Sequence, residues 1–490
     1  MAYYPTLEEA RAYASGCRTV PVTRTILSDS RTPVETLRIL KSVSRHCFIL
    51  ESLEDSERWG RYTFLGFDPK LEFTCRDGTV CICSGTAVTI PKADPAEFIR
   101  RIIAENRAPR VPGLPPFTGG LMGYFAFDSI RYAEPGLNLD AADDEGFNDI
   151  DLMLFDKIIA FDHFRQTVTL ICSAHTDALE ESYRAACMEL DAMAELLRSG
   201  ERAPNPPLRL KGEFESLFDK AQFCAMVEKG RHYIYEGDIF QVVLSNRLSA
   251  PADGSLLDTY RLLRTQNPSP YMFYISSDTL ELAGSSPETL VTLREGVLHT
   301  FPLAGTRPRG ATEADDKALE ESLLADPKEL AEHNMLVDLG RNDLGRVSKF
   351  GTVAVEQYLS ILRFSHVMHI GSTVRGEIRE DRDALDALSS VLPAGTLSGA
   401  PKIRACQIIN ELEGRRRGVY GGAVGYIDFT GNMDTCIAIR LAYKKNGRVC
   451  VRAGAGIVAD SVPEREYQES INKAAAVVNA LRQSEGGIDA

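Results

Sequence analysis

The chain has 490 residues, a formal net charge of -14, 44% hydrophobic residues and 25% charged residues. This composition is typical of a folded protein of enzyme size, and it excludes a disordered or fibrous chain. The negative charge argues against nucleic-acid binding, which requires a basic face. If the ligand is an anion, its positive contacts must therefore be local.

Targeting signals and cysteine usage indicate the compartment. The N-terminal sequence MAYYPTLEEARAYA has no basic segment leading into an apolar core, and no apolar run reaches the roughly 18 residues of a membrane span. The eleven cysteines are scattered, and Cys81 and Cys83 have no second pair to complete a zinc site. We therefore expect a cytoplasmic protein with reduced thiols and no membrane segment.

The first region, residues 1–198, has strand-like segments followed by one acidic amphipathic helix. The strand-like segments are RHCFILES, RYTFLGF, KIIAFD and TVTLICSA. The helix is predicted from about Thr176 to Leu197. The following segment, 199–214, is rich in Pro, Gly and charge and is predicted to be a linker.

The second region, residues 215–483, alternates helix and strand signals. FDKAQFCAMVEKGRHYIYEG predicts a helix that stops at Gly237, and IFQVVLSNRL predicts a buried strand. The region ends in a long helix, REYQESINKAAAVVNALRQ, and the tail 484–490 is predicted to be loose. The layout predicts a mixed α/β (α+β) fold with many antiparallel strands.

Two pairs of glutamates at helical i, i+3 spacing are the strongest local signal. Glu329 with Glu332, and Glu466 with Glu469, each share one face of a predicted helix. Four carboxylates on two helices suit Mg²⁺ rather than Zn²⁺, because no second histidine stands at ligand spacing. The alternative is that these are solvated charges on helix faces.

Two glycine-containing segments are candidate ligand sites. Gly395, Thr396, Ser398 and Gly399 in LPAGTLSGAPK precede a helix, whose free N–H groups and dipole suit a carboxylate; the alternative is an ordinary helix cap. RVCVRAGAGIVAD reads as a strand that enters a glycine turn. No Gly-Lys-Ser/Thr follows it, which argues against a nucleotide-binding loop.

Several single residues have both a functional and a structural interpretation. His366 and His369 would lie on opposite faces of a strand, and Arg440 would share a strand face with small residues that leave room for an anion. GSSPETL, which contains Glu288, reads locally as the start of a helix. Taken alone, each histidine is better explained as an ordinary core or surface residue, Glu288 as part of a helix start, and Arg440 has the alternative of a half-exposed structural arginine.

The segments together resemble the chorismate-utilising enzymes, and most closely the anthranilate synthase component I branch of that family. The matching segments, in the family's order, are GDIFQVVLSNR, NPSPYMFY, GSSPE, PLAGTRPRG, DPKELAEHNMLVDLGRNDLGRV, FSHVMHI, PAGTLSGAPK, MDTCIAIR and AGAGIVADSVPEREYQE. The resemblance implies two packed, mainly antiparallel β-sheets flanked by helices. It also implies a Mg²⁺-dependent lyase that aminates chorismate at C2 and releases pyruvate to give anthranilate, the first committed step of tryptophan biosynthesis.

The resemblance assigns a role to each candidate site residue. Glu332 and Glu469 resemble direct magnesium ligands, with Glu329 and Glu466 acting through water. Glu288 resembles the general acid that protonates the departing C4 hydroxyl. Further catalytic or substrate-contacting roles are implied for His369, which would assist the loss of pyruvate, and for Thr396, Tyr420, Arg440, Gly454, Gly456 and Lys473.

Two positions distinguish the members of the family. Gln241 stands where the water-adding members carry a lysine base, and a glutamine cannot take a proton from water. Ala304 stands where aminodeoxychorismate synthase carries a nucleophilic lysine, so direct attack by ammonia is implied. Aminodeoxychorismate synthase component I remains the alternative enzyme, and a catalytically silent tryptophan- or chorismate-binding regulator remains the alternative of another class.

Regulation and partners are also implied by the resemblance. Two segments resemble a tryptophan inhibitor site, although each reads locally as a strand end or a proline-rich turn. Their residues are Glu51, Ser52, Asn267, Pro270, Tyr271 and Met272. The chain has no amidotransferase motif, which implies that a separate glutamine amidotransferase subunit supplies ammonia in a heterotetramer of two large and two small subunits.

Overall fold

The computed structural model describes residues 2–52, 60–363 and 367–489. Of the helices in these ranges, none combines the length and the apolar character that crossing a bilayer requires. All eleven cysteines lie in these ranges as free thiols, five of them partly exposed and six buried.

The described residues form 26 strands. In chain order they are β1 (Tyr3–Tyr4), β2 (Thr19–Leu27), β3 (Cys47–Glu51), β4 (Tyr62–Phe67), β5 (Leu71–Arg76), β6 (Thr79–Ser84), β7 (Thr86–Ile90), β8 (Gly120–Phe125), β9 (Ile150–Phe155), β10 (Lys157–Asp162), β11 (Thr167–His175), β12 (Arg209–Leu210), β13 (Glu215–Ser216), β14 (Gln241–Asp253), β15 (Tyr271–Ser276), β16 (Glu281–Ser286), β17 (Thr289–Arg294), β18 (Val297–Thr300), β19 (Leu303–Pro308), β20 (Ala354–Arg363), β21 (Val367–Glu377), β22 (Gly399–Ala400), β23 (Ala423–Asp428), β24 (Met433–Ile437), β25 (Leu441–Lys445) and β26 (Arg448–Ile457).

Twelve α-helices accompany these strands in the described ranges. They are α1 (Leu7–Tyr13), α2 (Pro33–Val43), α3 (Pro95–Glu105), α4 (Ile130–Ala133), α5 (Leu179–Ser199), α6 (Lys220–Tyr235), α7 (Leu257–Gln266), α8 (Glu313–Leu324), α9 (Pro327–Gly345), α10 (Ala384–Val391), α11 (Lys402–Glu413) and α12 (Pro463–Ser484).

The strands form two large antiparallel sheets, which confirms the expected fold class. The first has fourteen strands in the order β1-β2-β11-β10-β4-β3-β15-β16-β25-β26-β14-β12, with β13 and β22 also paired to β14. The second has twelve strands in the order β19-β21-β18-β17-β24-β23-β8-β9-β5-β6-β7, with β20 paired to β21. Aromatic side chains such as Phe48, Phe155 and Phe117 fill a core to which both sheets contribute, and the Phe48 and Phe155 rings meet edge to face at 4.8 Å.

The division along the chain does not separate the two sheets. In the first sheet β3 pairs with β15, and in the second β8 pairs with β23, so residues before 199 and after 214 share both sheets. The segment 199–214 is itself anchored, because Leu208 is fully buried and β12 pairs with β14. These two regions therefore fold together rather than as two independent cores.

The tail is held in place rather than loose. Helix α12 continues to Ser484, and Gly486 N–H donates to the Leu208 carbonyl at 3.0 Å. Asp489 accepts hydrogen bonds from Arg261, the shortest at 2.6 Å. Charge pairing at the last described residue fixes a segment whose glycine-rich composition had predicted freedom.

A glycine of the first sheet, Gly284, is closely packed, whereas a glycine of helix α9, Gly345, has open space around it. A Cβ added at Gly284 would lie 2.2 Å from Cζ of the buried Phe273 ring on the neighbouring strand. At Gly345, the last residue of α9, a Cβ would meet no atom within 4 Å. The position of the Phe273 ring therefore requires glycine at residue 284, whereas Gly345 has room for a side chain.

We expect Gly284→Ala to lower the free energy of unfolding by about 1–3 kcal/mol, the usual cost of overpacking a core. The measurement is the midpoint of urea denaturation followed by circular dichroism. Gly345→Ala is the matched control and should cause no loss, because alanine is the better helix former by about 1 kcal/mol. Equal midpoints for the two variants would contradict the packing described for Phe273.

Candidate functional site

A cavity of about 530 Å³ brings together residues from both sheets and several helices. Its walls come from the start of β14, the break between β16 and β17, helices α9 and α12, and the second half of β26. The cavity is lined by twelve of the residues singled out in the sequence: Gln241, Glu288, Glu329, Glu332, Thr396, Tyr420, Arg440, Gly454, Gly456, Glu466, Glu469 and Lys473.

The two glycines of AGAGI form part of the cavity wall inside strand β26. The sequence predicted a glycine turn there, but β26 continues to Ile457 because it pairs with β14 along its whole length. A Cβ at Gly454 would lie 2.5 Å from the Leu244 carbonyl oxygen, and one at Gly456 would lie 2.6 Å from Nε2 of Gln241. Gly454 therefore needs glycine for the close approach of two backbones, whereas a side chain at Gly456 would meet the end of the Gln241 side chain; neither position is a turn.

Helices α9 and α12 carry the two glutamate pairs into the same cavity. Asp326 caps α9 by accepting hydrogen bonds from the N–H groups of Lys328 and Glu329, and α12 begins with Pro463. Burial raises the pKa of Glu332, and the nearby charge of Glu329 raises it further. The pKa of Glu466 is raised in the same way, by burial and by Glu469. Repulsion between the four carboxylates is therefore only partly offset by the protein.

The chemistry of this donor set fits a hard divalent cation, although the side chains are not yet gathered around one point. Among the described residues no group of three His, Cys, Asp or Glu side chains converges as a ready metal site. Lys473 Nζ lies 2.7 Å from Glu469 Oε1 and offsets part of the negative charge of the four carboxylates. Carboxylate oxygens are the ligands that such a cation prefers, with water or a ligand oxygen completing its shell.

Glu288 lies between strands β16 and β17, in a two-residue break that also contains Pro287. The helix start predicted from GSSPETL is wrong, because both flanking segments pair in sheets. Thr396 Oγ1 donates a hydrogen bond of 3.1 Å to Glu288 Oε1, and Ile437 N–H donates to the Glu288 carbonyl at 3.0 Å. Burial raises the pKa of Glu288 to about 7, while Thr396, Arg440 and Lys473 act in the opposite direction.

Arg440 lies on the same side of the cavity as Glu288 but not on a strand. The sequence predicted that it shares a strand face with Cys436 and Ala438. Strand β24 instead ends at Ile437, and Arg440 has a φ of +50° before β25 begins. Its backbone is fixed because Ser285 N–H donates to the Arg440 carbonyl at 3.1 Å. The side chain consequently enters the cavity from a loop.

His369 lies at the edge of the cavity rather than in its wall. It is on β21, and its Nδ1 is 2.8 Å from the carbonyl oxygen of Gly305, a residue that lines the cavity. Burial lowers the pKa of His369, which favours the neutral ring. Ala304 precedes Gly305 on β19, and His366 lies outside the described residues.

The cavity also contains residues that the sequence did not single out. Lys328, Thr306 and Arg452 line it. Arg452 was detectable in principle, since residues two apart on a strand point to one face and Gly454 follows it at that spacing. Gln241 Oε1 is buried and has no hydrogen-bond partner among the described residues. The sequence indicated only that Gln241 cannot act as a base, and it gave no sign of this unpaired acceptor.

A second pocket of about 270 Å³ holds most of the predicted tryptophan site. The predicted residues that line it are Glu51, Ser52, Pro270, Tyr271 and Met272. Asn267 is the exception, because it caps α7 and its carbonyl accepts from Ser285 Oγ at 2.6 Å.

Some polar side chains in this second pocket already have hydrogen-bond partners, and one does not. The Glu51 carboxylate already accepts from the Tyr260 hydroxyl and from Arg264. Ser52 Oγ is buried without a partner in the described part of the chain. The Tyr271 hydroxyl donates to Asp434 at 2.7 Å and accepts from Thr289 Oγ1 at 3.1 Å.

The fold and the carboxylate-rich cavity define an α/β enzyme. The family model of the chorismate binding enzymes matches residues 45–479, and the chain belongs to that family. It is 45% identical to anthranilate synthase component 1 of Acetivibrio thermocellus over 98% of this chain and 99% of that protein, and 45% identical to the protein of the same name from Acinetobacter calcoaceticus over 97% of both. A solved structure, anthranilate synthase component I of Streptococcus pneumoniae TIGR4, has a TM-score of 0.76 and 37% identity, covering 92% of this chain and 98% of that one.

We expect the raised pKa of Glu288 to make the stability of the metal-free, ligand-free protein fall as pH rises. A carboxyl group has a pKa near 4.3 in an unfolded chain, so the folded state binds more protons between there and pH 7. Stability from this group is complete below that window and is lost above about pH 7. Glu288→Gln, which has no proton to lose, should therefore gain in melting temperature relative to wild type between pH 5 and pH 8. A difference that does not change with pH would contradict the burial of this carboxyl.

Proposed function

We propose that the chain is the chorismate-converting component of an anthranilate synthase. The reaction takes chorismate and ammonia to anthranilate, pyruvate and water, as the first committed step of tryptophan biosynthesis. The observation that carries the proposal is the cavity that holds a neutral-range carboxyl, Glu288, beside four further carboxylates and the four cationic residues Lys328, Arg440, Arg452 and Lys473. Membership of the chorismate binding family and near full-length similarity to anthranilate synthase component 1 support it.

The substrate would be held through its two carboxylates. Arg440 and Lys473 supply positive charge, and Tyr420 lines the same part of the cavity. Glu332 and Glu469 would hold Mg²⁺ directly, with Glu329 and Glu466 reaching it through water. When bound, the ion neutralises these carboxylates and offers a positive site for the ring carboxylate.

Glu288 would act as the general acid. A carboxyl with a pKa of about 7 retains its proton for much of the time at neutral pH and ionises readily when the leaving group takes it. The proton passes to the C4 hydroxyl, which departs as water. Thr396, which donates to Glu288 Oε1, keeps the other oxygen available to the substrate.

The nucleophile at C2 would be ammonia. Gln241 cannot deprotonate water, and its buried, unpaired Oε1 offers an acceptor for an N–H group instead. Ala304 provides no side-chain nucleophile. His369, kept neutral by burial, would assist the later loss of pyruvate as a proton acceptor.

Two alternative functions use the same fold. Aminodeoxychorismate synthase component I is disfavoured by Ala304. A silent regulator that binds chorismate or tryptophan is disfavoured because the acid, the four carboxylates and the cations all line one cavity. A regulator would have no need to keep so many like charges together.

The ammonia would come from a separate glutamine amidotransferase component, because the chain has no amidotransferase motif. The name component 1 of the relatives fits such a partner. A heterotetramer of two large and two small subunits, a cytoplasmic location and an absence of nucleic-acid or membrane binding remain our proposals.

The expected result with purified protein, chorismate, ammonium and Mg²⁺ is anthranilate and pyruvate in equal amounts, identified by fluorescence and mass spectrometry. Glutamine in place of ammonium should give no product until an amidotransferase component is added. Glu332→Gln should abolish turnover, since it removes a charged ligand from a hard cation, whereas Glu288→Gln should lose turnover and keep chorismate binding.

The outcome that would contradict this function is a different product, such as the non-aromatic 4-amino-4-deoxychorismate, or full activity in Glu332→Gln. Chorismate binding without any turnover in wild type would favour the silent regulator.

We further propose that tryptophan binds the second pocket and inhibits. The pocket offers an apolar wall from Pro270 and Met272 and a buried, unpaired hydroxyl on Ser52. Glu51 is already paired with Arg264, so an incoming ammonium group would share that carboxylate. Thr289, next to Glu288, is hydrogen-bonded to Tyr271 of this pocket, which gives inhibition a short physical route.

Ser52→Phe should fill this pocket and release inhibition while leaving uninhibited turnover unchanged. Because coupling between two ligands is reciprocal, saturating chorismate should weaken tryptophan binding to wild type by the same factor by which tryptophan weakens chorismate binding, typically about 5- to 150-fold. Calorimetry with each ligand present measures both factors. A Ser52→Phe enzyme that is still fully inhibited, or wild type that binds no tryptophan, would remove this pocket from the proposal.

A further inference from the structure

Three fully buried charged residues, which we call the buried arginine cluster, lie behind the cavity: Glu413, Arg417 and Arg452. Their side chains are 0–1% exposed. Arg452 Nη2 lies 2.9 Å from Glu413 Oε2, and Arg417 pairs with the same carboxylate through Nε at 3.0 Å. Two guanidinium groups therefore share one carboxylate away from solvent.

The cluster carries one positive charge more than it carries negative charge. The other acidic group beside it, Asp128, accepts hydrogen bonds from the backbone N–H groups of Arg417 and Gly418, and the cationic side chains that act on its charge are those of Arg131 and Arg416. A surplus charge in a buried site is costly unless an anion lies near it. Arg452 belongs to the cavity wall while its side chain is 0% exposed, so an anion in the cavity can offset this charge from the other side of the wall.

The cluster is also the common attachment of three parts of the cavity wall. Arg417 Nη1 donates to the Leu397 carbonyl at 2.6 Å, next to Thr396. Its Nη2 donates to the Val243 carbonyl at 2.7 Å, two residues beyond Gln241.

The third attachment is the contact of Arg417 with the ring of Tyr420, and Arg452 adds a link between two strands of the wall. Arg452 Nε donates to Ser245 Oγ at 2.9 Å, which ties β26 to β14. The Tyr420 ring centroid lies 5.9 Å from the Arg417 guanidinium carbon. Without the cluster, the segments that carry Thr396, Gln241 and Tyr420 would lose a shared anchor.

We propose that the buried arginine cluster is the positioning group of this cavity and that its surplus positive charge strengthens binding of the dianionic substrate. The inference rests on the proposed function. It assigns to Arg452 and Arg417 an action on the substrate through charge and through the wall segments, without direct contact.

The chain offers a matched control in a similar cluster elsewhere. Glu281 is flanked by Lys41 and Lys444, with Lys444 Nζ at 3.2 Å, so one carboxylate again faces two cations. These lysines are 19% and 23% exposed and do not line the cavity. Removing a cation there tests the loss of a partly buried ion pair alone.

The test compares Arg452→Met, Arg452→Lys and Lys444→Met in the full chain, with KM for chorismate, kcat at saturating ammonium and the melting temperature of each. Arg452→Met should raise KM by about 10- to 30-fold, the effect of one unit charge roughly 8–12 Å away at an effective dielectric constant of about 20, and should also lower kcat. Arg452→Lys should recover most of the KM but not the kcat, since an ammonium keeps the charge and loses the planar fork. Lys444→Met should lower the melting temperature without moving either kinetic constant.

Unchanged KM and kcat in folded Arg452→Met, or equal kinetic effects in Lys444→Met, would overturn the proposal. If Arg452→Met does not fold, Arg452→Lys with wild-type kcat overturns it, and Ser245→Ala, which removes one anchor without changing charge, should lower kcat while KM stays near wild type. Chorismate affinity by calorimetry gives the same comparison without turnover. A failure of the proposed function, seen as a different product from wild type, is therefore distinct from a failure of this inference.

Discussion

The pairing of β14 with β26 is the interaction on which the site depends most. Ten residue pairs join the two strands, from Val242 with Ile457 to Pro251 with Arg448. The backbones approach closely at Gly454, where a side chain would meet the Leu244 carbonyl. A shift of one residue would turn every side chain of β26 to the opposite face, taking Arg452 away from the cavity. Helix α12, with Glu466, Glu469 and Lys473, follows β26 directly and would move with it.

Charge is the second constraint, and it explains why the cavity is built from so many elements. Five carboxylates line it, and no single helix or strand could hold five without severe repulsion. They are distributed over α9, α12 and the β16–β17 break. Burial raises the pKa values of Glu288, Glu332 and Glu466, and a neighbouring carboxylate raises those of Glu332 and Glu466 further. The same imbalance makes the cavity a good host for a divalent cation. It also makes the buried arginine cluster tolerable, because cation and anion offset each other's cost.

Local sequence patterns predicted the elements better than they predicted the loops. The i, i+3 glutamate pairs were enough to place four carboxylates on helix faces, because helical spacing is a local property. Three features were missed: the break at Glu288, the left-handed backbone conformation of Arg440 and the continuous strand through Gly456. Each depends on hydrogen bonds to residues more than 100 positions away, which no local pattern contains. For the same reason the composition of 199–214 and 484–490 predicted freedom, whereas long-range pairing and the ion pair of Asp489 hold both segments.

The two pockets are close enough for one strand pair to serve both. Asp434 and Cys436 of β24 line the second pocket, while the next residue, Ile437, donates to the Glu288 carbonyl. On β17, Thr289 is hydrogen-bonded to Tyr271 and is covalently next to Glu288. A ligand that moves Tyr271 therefore acts on the acid through one hydrogen bond and one peptide unit, and no long chain of packed residues is needed. Such short coupling would act on the position of Glu288 and, under the proposed function, would first affect the proton transfer to the C4 hydroxyl.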